Sequence, residues 1–193
     1  IFMNYTESSQ NLDYGQHGDI LVISTARDTA AIRPYISWKR EKGFNVSLDV
    51  VPKGTNVKDL IQQKYDENNN LLYVQLVGDY DDIQSDKGTS ENGPMDPQLG
   101  CVVGDDYYAD ISVGRLSANS ANEVTIQVNK IIDYEKNPQA GLDWYKSALG
   151  IGSAEGSGSG DDGEVDKDHI QNIWDNKLDP FTYDIYSCLL YTS

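Results

Sequence analysis

Two near-continuous apolar runs, Asp19–Thr25 (DILVIST) and Leu71–Val77 (LLYVQLV), limit this chain more than any other feature. Each is too apolar for a strand with one wet face and too short for a buried helix. Each therefore predicts a strand covered on both sides. A third strand, with partial alternation, is predicted from Phe44 to Val51. Between these runs the apolar spacing changes to that of a helix. Ile32, Tyr35, Ile36 and Lys39 line one side of a helix that Asp28 or Thr29 can cap, and Gly43 supplies its left-handed stop. Pro34 is awkward there unless it lies in the first turn, so a late start or a kink is expected. Val57, Leu60, Ile61 and Tyr65 mark a second helix ending at Asn68-Asn69-Asn70. The order βαβαβ requires a parallel sheet with right-handed crossovers.

Gly78-Asp79 ends the strand, and Tyr80–Gly100 reads as a long loop with Gly88, Gly93, Pro94 and Pro97. Loops of that length are usually functional or mobile. Cys101–Val103 and Ile111–Val113 read as the two short strands of a hairpin around an acidic turn. Asn119 or Ser120 caps a helix to about Lys136, with Val124, Val128, Ile131 and Ile132 inward. Ala148–Ile151 predicts another buried strand. It runs into Ser153-Ala154-Glu155-Gly156, an acidic glycine-rich loop, and a helix with Asp166, Ile170, Ile173 and Trp174 on one stripe. A last strand is predicted over Phe181–Tyr186. Ligands of open α/β sheets sit beyond the carboxyl ends of strands, so function is expected where the strand at 148–151 meets that loop and helix. The domain reading is a lead-in over 1–18, an amino-terminal α/β subdomain over 19–140, the start of a catalytic α/β subdomain over 141–187, and a non-native tail over 188–193.

A net charge of −16 with 38% hydrophobic residues describes a chain that is soluble and acidic yet able to form a core. It argues against nucleic acid or an anionic membrane surface as a partner, because both need a basic face. No transmembrane run is present. Cys101 and Cys188 define neither a disulfide framework nor a metal spacing. The glycine loop lacks the lysine of a phosphate-binding loop, which weakens a nucleotide-binding reading. Asp79, Asp105 and Asp106 fall in loops at what should be one rim of the sheet, where hard oxygen ligands suit calcium. Two separately solvated acidic loops explain them equally well. Glu155 alone fits a loop carboxylate capping an amide. Asp166 alone fits a helix-start residue worth about 0.3–1 kcal/mol through the helix dipole.

Several motifs, taken in order, resemble the gingipain-type cysteine peptidases, a family with the caspase-like α/β fold. They are Ser37-Trp38-Lys39 with Lys42-Gly43-Phe44, Leu76-Val77-Gly78-Asp79, and Val103-Gly104-Asp105-Asp106-Tyr107-Tyr108 followed by Val113-Gly114-Arg115-Leu116-Ser117. Tyr134-Glu135-Lys136 continues the series. Ser153-Ala154-Glu155-Gly156 with Gly163-Glu164-Val165-Asp166 is its most specific part. Each motif is weak alone, but five in order at compatible spacing are not. The resemblance implies a caspase-like, mostly parallel sheet flanked by helices and truncated before the catalytic strands. It implies that Glu155 orients the catalytic histidine and that Asp166 receives the substrate's arginine. It also implies structural calcium, for which Asp79, Asp105 and Asp106 are the candidate ligands.

The chemistry suits these roles, since a Cys–His pair gains from a third group that fixes the imidazole tautomer. A guanidinium likewise needs a carboxylate for charge-assisted hydrogen bonds. The family's histidine lies in a His-Gly motif after a later strand, with its cysteine further on. His17, His169, Cys101 and Cys188 match neither. The expectation is an inactive amino-terminal piece of a secreted or cell-surface cysteine endopeptidase that cleaves proteins or peptides after arginine. A sortase-like member of the same family and a non-catalytic, calcium-stabilised binding module are the competing expectations. Such a piece should also leave an open sheet edge and an uncovered apolar face.

Overall fold

The structure, a computed structural model, describes residues 17–88, 92–139, 141–153 and 163–181, together with the backbone of 184–190. Residues 1–16 of the expected lead-in lie outside that set. The chain forms two compact units, 1–137 and 138–193. Among the described residues no helix is long and apolar enough to cross a membrane.

The first unit runs β1 (Asp19–Ser24), α1 (Thr29–Glu41), β2 (Asn45–Val50), β3 (Thr55–Asn56), α2 (Lys58–Glu67), β4 (Leu71–Val77), β5 (Ile83–Gln84), β6 (Ser112–Leu116) and α3 (Ala121–Lys136). Four strands make one parallel sheet in the order β2-β1-β4-β6. Alternate residues of β1 serve different cores, which is why its sequence is apolar throughout. Ile20 and Val22 pack with Ile32, Tyr35 and Ile36 of α1 and with Val124 and Val128 of α3. Leu21 and Ile23 pack on the opposite face with Val57, Ile61 of α2, Ile83 and Leu99.

Helix α1 starts at Thr29 and continues through Pro34, which is exposed. The ring removes the N–H that would reach the carbonyl of Ala30, but on this outer side water can satisfy that oxygen. Gly43 follows the helix at φ 94°, the left-handed stop its sequence predicts. At the start of α3, Glu123 N donates to Ser120 Oγ (3.3 Å) while Glu123 Oε2 accepts from Asn119 N (2.7 Å), a reciprocal cap.

The expected hairpin does not form. Residues 101–103 carry no ladder, and the returning segment is instead β6, a parallel edge strand longer than Ile111–Val113. The reason is a carboxylate. Asp110 Oδ2 accepts from the amides of Val102 and Val103, both at 2.9 Å, and Lys58 Nζ donates to the carbonyls of Gln98 (2.9 Å) and Cys101 (2.6 Å). The backbone groups a strand partner would have taken are already satisfied.

The long loop after β4 is fastened rather than loose at its ends. Arg115 of β6 donates to the carbonyls of Gly78, Asp79 and Ile83 at 2.9–3.1 Å and grips Asp96 with two hydrogen bonds (2.6 and 2.8 Å). The two-residue ladder between β3 and β5 adds a second tie.

The connections from β1 and β4 leave to opposite faces, so the crevice beyond these strand ends is the topological switch point. It is filled by the protein itself. Arg27 bridges the buried carboxylates of Asp28 (2.8 and 2.9 Å) and Asp82 (2.6 and 3.2 Å) and donates to the carbonyl of Ala118 (3.1 Å). Burial opposes the Asp82 anion, but Arg27 and Lys53 outweigh it and hold that carboxyl below its usual range. Gly78 takes φ 118°, and a side chain there would strike Asp82 Cβ at 2.8 Å, so the turn that delivers Asp82 requires glycine.

The second unit is a single βαβ module. β7 (Ser147–Ser153) leads to α4 (Asp166–Ile173), which continues as a π-helical turn (Trp174–Leu178) and a 3-10 turn (Asp179–Phe181). β8 (Asp184–Leu190) returns parallel to β7, pairing from Ser147↔Asp184 to Ser153↔Leu190. The strand thus includes Cys188–Leu190, residues the sequence reading set aside as a tail. Leu149 and Ile151 of β7 are 65% and 57% exposed, so the strand expected to be buried over Ala148–Ile151 carries its large apolar side chains in the open.

Candidate active site

The candidate site lies in the second unit, beyond the carboxyl end of β7. Glu155 and the loop over 154–162 lie outside the described residues. Asp166 is described: it is the first residue of α4, exposed, after Val165 in extended conformation. The amides of Asp168 and His169 donate to the carbonyl of Val165 (2.9 and 3.0 Å), which starts the helix without a side-chain cap.

Two glycines seat this helix on the strand. A Cβ placed on Gly150 would lie 2.6 Å from both Ile170 Cγ2 and Trp174 Cζ2. One on Gly152 would lie 2.7 Å from Ile170 Cδ1 and 3.1 Å from the backbone C and O of Asp166. Of the stripe Asp166, Ile170, Ile173 and Trp174 read from the sequence, the side chains of Ile170 and Trp174 and the backbone of Asp166 lie on β7, whereas Ile173 is 39% exposed.

Sequence reasoning missed one pair. His169 Nδ1–H donates to Glu164 Oε1 at 2.6 Å. The bond closes the incoming chain onto the first turn of α4, one side of the Asp166 position. The legible signal was their separation across a helix start, where a residue just before the cap can meet one in the first turn.

Two of the three expected calcium ligands, Asp79 and Asp106, accept hydrogen bonds from nearby amides. Asp79 Oδ1 accepts from the amides of Asp81 (3.1 Å) and Asp82 (3.3 Å), and Asp106 Oδ1 accepts from that of Tyr108 (2.9 Å). These carboxylates are engaged as turn caps. Among the described residues no group of three or more His, Cys, Asp or Glu side chains is placed to hold a metal ion.

The parallel sheet, its flanking helices and a carboxylate at a helix start beyond a strand end define a caspase-like α/β protein. The solved Arg-specific cysteine proteinase gingipain R superposes with a TM-score of 0.76 at 29% identity, over 94% of this chain and 43% of that one. The complex of gingipain pro- and mature domains from Porphyromonas gingivalis gives 0.75 at 31% identity, over 90% and 42%. The model of peptidase family C25 matches residues 13–192. The chain belongs to that family, the gingipain-type cysteine peptidases. It is similar to gingipain R2 of Porphyromonas gingivalis, 31% identical over 95% of the chain, and to Lys-gingipain of the same organism, 30% identical over 74%. It spans 26% of the length of that gingipain R2 and 9% of that Lys-gingipain.

Proposed function

We propose that this chain is part of a secreted cysteine endopeptidase that cleaves proteins after arginine, with the nucleophilic cysteine and its histidine carried outside this chain. The observation that bears most weight is the exposed Asp166 carboxylate at the start of a helix held directly on β7. A carboxylate beyond a strand end is the acceptor a guanidinium needs, since its two oxygens can take both ends of the fork. Glu155 follows β7 by two residues, and in this reading it orients the catalytic histidine. Similarity to an Arg-specific proteinase supports the choice of arginine.

The test is hydrolysis of arginyl amides by the intact peptidase, wild type against Asp166→Asn. The expected loss in kcat/KM is on the order of 100-fold, the size of charge-assisted hydrogen bonds worth about 1.5–3 kcal/mol. Undiminished arginine cleavage by the variant removes Asp166 from the pocket. An intact protein that cleaves nothing turns the reading towards a non-catalytic binding module.

A further inference from the structure

We infer that Gly152 is a positioning residue for arginine selectivity, because its missing side chain sets how closely the backbone of Asp166 approaches β7. The inference rests on the reading of Asp166 as the arginine acceptor.

The geometry separates two kinds of contact. At Gly150 the atoms nearest an added Cβ all belong to side chains, those of Ile170 and Trp174. At Gly152 it meets Ile170 Cδ1 and then, at 3.1 Å, the carbonyl carbon and oxygen of Asp166 itself. A side chain can rotate away, but a backbone carbonyl moves only with its helix. Ala at residue 152 therefore pushes the start of α4 off the strand by a few tenths of an ångström and takes the carboxylate with it. Glu164 and His169 tie the chain entering α4 to the helix's own first turn, so that start moves as a piece.

Arginine and lysine feel such a shift differently. A guanidinium bonds a carboxylate through a planar fork whose two hydrogen bonds need one geometry, whereas an ammonium is a compact charge that tolerates displacement. Displacement by about 1 Å at a reacting centre costs about 100-fold, so a smaller one at the binding anion is expected to cost about 10-fold. The cost falls on arginine more than on lysine. General damage to the domain lowers both alike and leaves their ratio unchanged, so the ratio reports positioning.

The experiment measures kcat/KM of the intact peptidase on matched arginyl and lysyl amides. It compares wild type, Asp166→Asn, Gly152→Ala, and Gly152→Ala combined with Ile170→Val. The last pair removes the Cδ1 atom that crowds residue 152 and leaves the contact with the Asp166 backbone as the remaining perturbation. The expected result is an arginine-to-lysine ratio lowered about 10-fold in both Gly152 variants, with cooperative melting retained. If Asp166→Asn collapses the ratio and both Gly152 variants keep it, the positioning role is wrong and the acceptor reading stands. If Asp166→Asn itself leaves the ratio untouched, the acceptor reading falls and the inference with it. Equal loss on both substrates, or failure of the double variant to fold, makes Gly152 a packing residue and overturns the proposal.

Discussion

Glu135, near the end of α3, gathers two groups of α1 and one of Lys42, the residue that follows that helix. Its carboxylate accepts from Lys39 Nζ (2.6 Å), Lys42 Nζ (2.9 Å) and Trp38 Nε1 (2.9 Å). Burial alone would raise its pKa, but those three donors outweigh burial and bring it from 4.5 down to about 2. The folded protein therefore holds fewer protons on this group than the unfolded chain does between those values. The stability it contributes is complete above about pH 4.5 and is lost as the pH falls towards about 2. Thermal melting of wild type and Glu135→Gln should differ at neutral pH and converge in acid across that window. A difference that persists unchanged to about pH 2 contradicts the assignment. The buried Tyr35 hydroxyl moves in the opposite sense, pushed up to about 12 by desolvation and then by the Glu135 charge. At this scale the sequence was legible where a role is written in neighbouring residues. Asp166 stood out because Gly163-Glu164-Val165-Asp166 is contiguous. Arg27 and Asp82 lie 55 residues apart, and nothing local marks either as the other's partner.

Among the elements, the long strands and helices were legible because each repeats its period over many residues. The misread parts are short or satisfied by side chains. The ladder of β3 and β5 is two residues long and has no period to detect. Residues 101–103 looked like a strand from their apolar character, yet Asp110 had taken two of their amides. Asp110→Ala is expected to release those amides at a cost of about 1–3 kcal/mol, because the Val102 amide sits on a buried residue. Amide exchange of Val102 and Val103 should accelerate far more than that of β1. Equal acceleration across the sheet would mean that Asp110 supports the whole unit and not this segment.

Across the molecule, burial is unevenly shared. Every fully buried hydrophobic side chain among the described residues lies between Ile20 and Val128, inside the first unit. Residues 17–137 expressed alone are expected to melt cooperatively, whereas residues 138–193 alone should bind a hydrophobic dye through Leu149, Ile151 and Phe181. A dye-silent, cooperatively melting second segment would contradict this division. The two units use one building plan to opposite ends. In the first, Arg27 corks the crevice beyond the strand ends with a cation the protein carries itself. In the second, the ground beyond β7 holds an anion with its face to solvent. Under the proposed function the first is a keystone and the second a receptor, so changes that retune what this protein grips are confined to the second while the first keeps its arch locked.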